Sequence, residues 1–254
     1  MNVALLITAF NRAEALNLVL KTVASQSRLP DEVVLCDDGS NFEMRVLVKK
    51  WEERLPLRHA WQPDCNFRAA RSRNLGVCEV RAEYLLWIDG DCLLPRQFVE
   101  NHLRLARSGC LVAGGRHLLS RTETDALLDG ASSIENAFSN WKFSSLAMGV
   151  LRDLHSGAWE KVRTCNLGMY RDDLEAIGGF DESYVGWGRE DSDFVVRLVH
   201  RGVKIRSGRL AACVAHLHHP ERARDQLSEN DARFNSCLNV PSHVYPKSST
   251  LVES

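Results

Sequence analysis

Nothing in this chain is long and apolar enough to cross a bilayer. Stretches such as Val3 to Ile7 and Tyr84 to Ile88 fall far short of the ~20 residues that a spanning helix needs. Net charge is also lacking: 32 Lys and Arg stand against 33 Asp and Glu, leaving −1, so the basic footprint of a general nucleic-acid binder is absent. The N-terminus has no basic stretch leading into a small-residue cleavage site, and from this we expect no secretory leader and a cytoplasmic setting. Eight cysteines are present but no C-x-x-C pair, which reads as scattered reduced core thiols rather than a disulfide or zinc framework. The phosphate loop G-x-x-x-x-G-K-[ST] is missing. Gly186-Trp187-Gly188 lacks the third glycine and the preceding strand of a dinucleotide fingerprint, so kinase, ATPase and nicotinamide-enzyme readings lose their main support.

What remains is an ordinary globular composition, 44% hydrophobic and 26% charged over 254 residues, enough for one large core. The first ~115 residues alternate strand and helix signals. Val3 to Ile7, Glu32 to Cys36, Leu57 to Trp61, Tyr84 to Ile88 and Cys110 to Ala113 read as strands. The intervening helices run over Ala13 to Ser25 with Asn11 as cap, Glu43 to Glu53, Arg68 to Val80, and Arg96 to Arg107 with Pro95 as first residue. Such alternation predicts a parallel sheet with helices on both faces. Ser120 to Thr164 is polar and poorly periodic, a long excursion of the kind that forms lids, with a helix near Ile134 to Phe143. Glu190 to Arg201 reads as a firm helix, and the chain from Pro241 onward as frayed.

In open parallel sheets, ligands bind beyond the carboxyl ends of the strands. That rule selects Thr8-Ala9-Phe10-Asn11, Asp37 to Ser40 and Asp89-Gly90-Asp91. Asp89 and Asp91 offer hard oxygens for Mg²⁺ or Mn²⁺ shared with phosphate, although a solvated acidic turn explains a lone D-x-D equally well. Asp191-Ser192-Asp193 repeats the pattern at a helix start, where acids also serve as dipole caps. Arg68, Arg71 and Arg73 precede the Asp89 strand. Arg68 and Arg71 share a helix face from which both can meet one anion.

Taken together, Thr8-Ala9-Phe10-Asn11-Arg12, Asp37-Asp38-Gly39-Ser40, Asn66-Phe67-Arg68 with Arg73-Asn74-Leu75-Gly76, and Asp89-Gly90-Asp91 resemble the family 2 glycosyltransferases of the GT-A fold. Gly178 to Glu182 and Gly186-Trp187-Gly188-Arg189-Glu190-Asp191 are similar to the acceptor-side block of β-1,4-galactosyltransferases. Residues 3–220 as a run resemble bacterial chondroitin polymerase domains. The resemblance implies an α/β GT-A domain. Its nucleotide-sugar half would span residues 1–115, its acceptor and catalytic half residues 116–220, and a C-terminal helix and tail residues 221–254. It implies an inverting, metal-dependent transfer of GalNAc, Gal or GlcNAc from a UDP-sugar to a glycan or lipid-linked glycan hydroxyl in polysaccharide or lipopolysaccharide assembly.

By the same resemblance Thr8, Phe10, Asn11, Arg12, Arg68 and Arg73 line the nucleotide. Asp38 meets the uracil and Asp89 the ribose, while Asp91 and His216 hold Mn²⁺ or Mg²⁺. Asp191 is the base, Glu190 binds acceptor, and Asn166, Trp187 and Gly188 touch sugar. The chain departs from the family at Thr164 to Gly168, where a longer glycine-rich stretch is usual.

Within Cys213, His216, His218 and His219, an extended strand turns residues 216 and 218 to one side and 213 and 219 to the other. This disfavours a four-ligand zinc site and makes His218 the second choice after His216. Arg197, Arg201, Lys204, Arg206 and Arg209 read first as a solvated basic face. The alternative is a dock for an anionic acceptor or the inner membrane surface. Two rival functions stay open: a sugar-nucleotide nucleotidyltransferase, and a sugar-nucleotide-binding module without catalysis.

Overall fold

A computed structural model describes residues 1–139, 158–209, 211–220 and 224–240. The expected tail from Pro241 and residues 140–157 of the expected lid lie outside these residues. No helix among the described residues is long and apolar enough to cross a membrane. All eight cysteines are free thiols, of which only Cys65 is exposed.

The first half follows its periodicity closely: β1 (Val3–Ala9), α1 (Ala13–Ala24), β2 (Glu32–Asp37), α2 (Phe42–Glu52), β3 (Leu57–Trp61), α3 (Ala69–Cys78), β4 (Tyr84–Asp89), β5 (Cys92–Leu93), α4 (Phe98–Leu105) and β6 (Cys110–Ala113). The second half contributes β7 (Gly115–Leu118), α5 (Arg121–Leu128), β8 (Asn166–Tyr170), α6 (Arg171–Glu175), α7 (Glu190–His200), β9 (Lys204–Ser207), β10 (Cys213–His216) and α8 (Leu227–Asn239).

Seven strands form one sheet in the order β3-β2-β1-β4-β8-β6-β9. The pairs β3-β2, β2-β1, β1-β4 and β6-β9 are parallel, and β8 runs antiparallel to both of its neighbours. Alternation along β1 explains the two-sided core. Val3, Leu5 and Ile7 pack with Leu16, Val19, Met44 and Phe98 on one face. Ala4 and Leu6 pack with Ala70, Val77, Trp87, Phe194 and Leu198 on the other.

A second sheet, β5-β10-β7, stands beside the first. Its β10 pairs antiparallel with β5, so that His216 faces Cys92, the residue after Asp91.

Four local expectations are corrected. Asn11 does not cap α1: Arg12 occupies the cap position in a left-handed conformation without a side-chain cap, because Asn11 Oδ1 instead accepts from the Asn41 amide at 3.0 Å. Pro95 does not start α4. Its carbonyl accepts from Phe98 N at 2.9 Å, a turn ahead of the helix. The helix expected at Ile134 to Phe143 is a single 3-10 stretch, Ile134–Phe138, as far as the chain is described. The polar excursion after Ser120 opens with α5, whose capping box joins Ser120 and Glu123 in both directions and was legible as S-x-x-E.

Candidate active site

Parallel register places the three selected loops together. Thr8 pairs with Asp89 and Ala9 with Asp37, so β1, β2 and β4 end side by side. The turn after β2 is compressed: Gly39 has φ +97, and a Cβ there would lie 2.4 Å from the Asp64 amide nitrogen, so only glycine fits. Asp37 is fully buried, and its carboxylate accepts from Ser40 N at 2.8 Å and contacts His59 Nε2 at 2.7 Å. Burial works to raise its pKa, but these contacts outweigh it and hold it below the usual value. Asp38 Oδ2 accepts from Arg68 N at 2.8 Å.

These loops face the segment Trp187 to Ser192 across one cleft of about 860 Å³. The α7 end of the cleft is shaped by backbone. Gly186, Gly188 and Arg189 have φ of 78°, 106° and 77°, and Gly186 N donates to Phe67 O at 2.8 Å. The helix α7 then starts at Glu190, with Asp191 one residue on.

Glu190 is buried and ion-paired with Arg73, Oε1 to Nη1 at 3.2 Å. Burial raises its pKa, and neighbouring Asp191 adds to the shift despite Arg73. Arg73 also donates to Thr8 Oγ1 at 3.3 Å and lies over the Phe180 ring at 5.4 Å. Asp191 is half-buried. Among the described residues its one hydrogen bond is a long 3.4 Å contact from Ser192 Oγ.

Opposite stands Asp91. His216 Nε2 is 3.0 Å from Oδ1, His219 Nε2 is 3.8 Å from Oδ2, and Arg12 Nη1 is 2.8 Å from Oδ2. Burial would raise the pKa of Asp91, but His216, His219 and Arg12 together hold it down. Asp89 is half-buried, and desolvation together with the Asp91 charge pushes its pKa up despite Arg73. His216 resists charge because it is buried, but Asp91 and Asp89 prevail and raise its pKa.

Asp91, His216 and His219 each offer one ligand atom, all within 4.8 Å of one another. The buried Asp91 Oδ1 receives no hydrogen bond despite the nearness of His216. A buried carboxylate oxygen left without a donor beside two imidazoles fits a divalent cation of the Mn²⁺ class.

Residues 4–142 match the family model described as "Glycosyl transferase family 2", and residues 155–220 match "N-terminal domain of galactosyltransferase". The chain belongs to glycosyl transferase family 2. It is 28% identical over 220 residues to validoxylamine A glucosyltransferase of Streptomyces hygroscopicus subsp. limoneus, covering 79% of this chain and 48% of that one. To the chondroitin synthase of Pasteurella multocida it is 25% identical over 224 residues, covering 78% and 23%. The chain thus spans about half or less of these relatives. Among solved structures, S. aureus TarS 1-349 in complex with UDP-GlcNAc superposes with a TM-score of 0.70 at 15% identity, covering 100% of this chain and 71% of that one. The fold is the GT-A glycosyltransferase fold, as its motifs led us to expect.

In this family 2 member, Thr8, Phe10, Asn11, Arg12, Asp38, Arg73, Asp89, Asp91, Trp187, Gly188, Glu190, Asp191, His216 and His218 all line the cleft. Three expected residues do not. Arg68 donates its guanidinium to Pro63 O at 2.8 Å, while Arg71 turns to Gln62 Oε1 at 2.7 Å and Glu182, so the pair does not form a joint anion clamp. Asn166 is buried in β8. Its amide donates to the Gly115 and Ala212 carbonyls at 2.7 and 2.8 Å, and its oxygen meets His102 Nε2 at 2.9 Å. It ties the two sheets together instead of reaching sugar.

His219, not His218, completes the Asp91 cluster, because β10 ends at His216 and strand alternation stops there. His218 supplies its backbone: its amide donates to Thr124 Oγ1 and its carbonyl accepts from Arg12 Nη2. Two residues that brace the Val185 to Gly188 turn carried no sequence signal. Arg224 lies over the Trp187 ring at 4.7 Å, and Asn230 donates to Val185 O at 3.0 Å.

Proposed function

We propose that this protein transfers a hexose or N-acetylhexosamine, with inversion, from a UDP-sugar to a glycan hydroxyl in polysaccharide or lipopolysaccharide assembly. The observation that carries this reading is the meeting of two opposed acidic ends in one cleft: Asp89 and Asp91 at the β4 terminus, Glu190 and Asp191 at the start of α7. Validoxylamine A glucosyltransferase, chondroitin synthase and the UDP-GlcNAc complex of TarS support a sugar nucleotide as donor.

Asp191 is the base. It is the less engaged of the two α7 carboxylates and borders the cleft, so it can take the acceptor proton as the new C1–O bond forms, an effect of typically ~10²–10⁴ in rate. A single base on the face away from the leaving group leads to direct displacement and inversion. Glu190, paired with Arg73, holds an acceptor hydroxyl. Trp187 offers a flat apolar face to a sugar ring.

Asp91, His216 and His219 hold Mn²⁺ or Mg²⁺, which when bound offsets the charge gathering on the leaving diphosphate. Arg73 adds fixed positive charge from the β1 side. A lipid-linked acceptor would be met at the membrane surface.

The test is a panel of nucleotide sugars with Mn²⁺, scored for UDP or GDP release with and without glycan acceptors, together with the anomeric configuration of the product. Acceptor-dependent UDP release with an inverted linkage is the expected result. Retention, or exchange of labelled NTP into sugar nucleotide, would overturn the reading.

A further inference from the structure

Asp91 meets two imidazoles and one guanidinium. An imidazole nitrogen can ligate a metal, whereas the Arg12 guanidinium offers only donors and acts as a fixed positive charge. It contacts the same Oδ2 that His219 approaches, at 2.8 Å, and its second nitrogen donates to His218 O at 3.1 Å. Arg12 therefore bridges the β1 loop and the segment after β10 across the cluster.

The base of this arm is fixed by hydrogen bonds and its tip opens onto the cleft. Asn11 and Arg12 both adopt left-handed backbone, φ 54° and 58°, which non-glycine residues seldom do. Asn11 is fastened at both ends, its amide to Ser40 Oγ at 2.7 Å and its Oδ1 to the Asn41 amide. The Arg12 side chain is nonetheless 37% exposed and faces the cleft.

We infer that Arg12 is a placeholder for the divalent cation, neutralising Asp91 until the metal arrives and then passing to the donor diphosphate. A cation held at the open Asp91 Oδ1 would stand within a few ångström of the guanidinium on Oδ2 of the same carboxylate, and like charges at that range repel in a half-buried site. The guanidinium must leave. A diphosphate offers it the bidentate oxygen pair for which its fork is suited. Metal entry thus breaks an ion pair that only the nucleotide replaces, and the two ligands become coupled through one side chain. By linkage the coupling is reciprocal. This inference rests on the metal assignment made above.

The test needs no turnover. Mn²⁺ binding to the full chain is titrated by electron paramagnetic resonance, with and without UDP, in the parent, in Arg12→Asn, whose new side chain tolerates left-handed backbone but is too short to reach Asp91, and in Arg12→Gln. Mn²⁺ alone should bind both variants about two- to fivefold more tightly, the effect of removing one partly exposed ion pair. UDP should tighten Mn²⁺ by a smaller factor in the variants than in the parent. Unchanged or weaker Mn²⁺ affinity in both variants, or an undiminished UDP effect, overturns the inference. So does tightened binding that survives a further His216→Ala change, since the ion would then sit elsewhere. A parent that binds no Mn²⁺ with or without UDP overturns the metal assignment itself.

Discussion

Glu190 and Asp191 are neighbours in the chain, yet the fold treats them differently. Glu190 is buried against Arg73, whereas Asp191 borders the cleft with one long hydrogen bond. Asp191→Asn keeps the shape and removes the proton acceptor. Transfer should fall by at least about 10² while UDP affinity, measured calorimetrically, stays within about twofold; near-normal turnover removes Asp191 as the base.

A second residue-scale prediction concerns His102. It is fully buried against Phe98 and Asn166, and burial lowers its pKa from the ordinary 6.5 to about 4. Below pH 6.5 the unfolded chain takes up a proton that the folded one refuses, so stability falls as pH drops from 6.5 towards 4. This one residue should account for about 3 kcal/mol of that loss. His102→Gln should therefore show a shallower decline in urea-unfolding free energy between pH 7 and pH 4, and equal slopes would refute it.

At the scale of elements, the basic stretch keeps Arg201, Lys204 and Arg209 exposed, as a solvated face requires, but α7 turns Arg197 inward. Arg197 is 1% exposed: it pairs with Asp193 at 2.7 Å and donates to the Ile177 and Gly179 carbonyls at 2.9 and 2.8 Å. Arg206 likewise donates to Leu105 O. The i,i+4 spacing of Asp193 and Arg197 was visible in the sequence, but burial was not, because it depends on what α3, α6 and β4 bring to the same face. Asp193→Ala leaves a buried guanidinium without its counter-charge and should cost about 3–5 kcal/mol in chemical denaturation. A loss below about 1 kcal/mol would mean that water reaches Arg197.

Helix α8 acts on the same region from outside. Phe234 and Cys237 pack on Val196 of α7, Arg189 pairs with Asp231, and a Cβ on Gly186 would lie 2.8 Å from Gln226 Cβ. The helix holds the turn that delivers Asp191. Asn230→Ala should lower kcat by about ten- to hundredfold through misplacement of that turn and leave UDP affinity unchanged. Equal loss of both would point to general unfolding.

For the whole molecule, the metal reading has a bulk consequence. Ligands that bind only the folded state stabilise it by mass action, by about 2.7 kcal/mol at a hundredfold excess over Kd, which for a chain of this size is a Tm shift of roughly 5 °C. UDP with Mn²⁺ should produce that shift and UDP without divalent cation a clearly smaller one. Asp91→Ala should abolish the difference, and metal-independent stabilisation of the parent would contradict the assignment.

Local patterns determined much of this protein. The strand and helix order of the first half, the Asp89-Gly90-Asp91 terminus of β4 and the G-W-G-R-E-D turn follow from periodicity, glycine and short-range charge, which are properties of neighbouring residues. The family resemblance rested on those same segments. Partners distant in sequence were decided only by tertiary structure. The strand β8 lies in the middle of the sheet, antiparallel between β4 and β6, so Asn166 spends its amide on the Gly115 and Ala212 carbonyls. Arg68 folds back on Pro63, while His219 reaches Asp91 because β10 ends at His216. Each of these outcomes turns on which backbone groups a strand leaves unpaired and where its alternation stops, and neither is written in the spacing of the side chains.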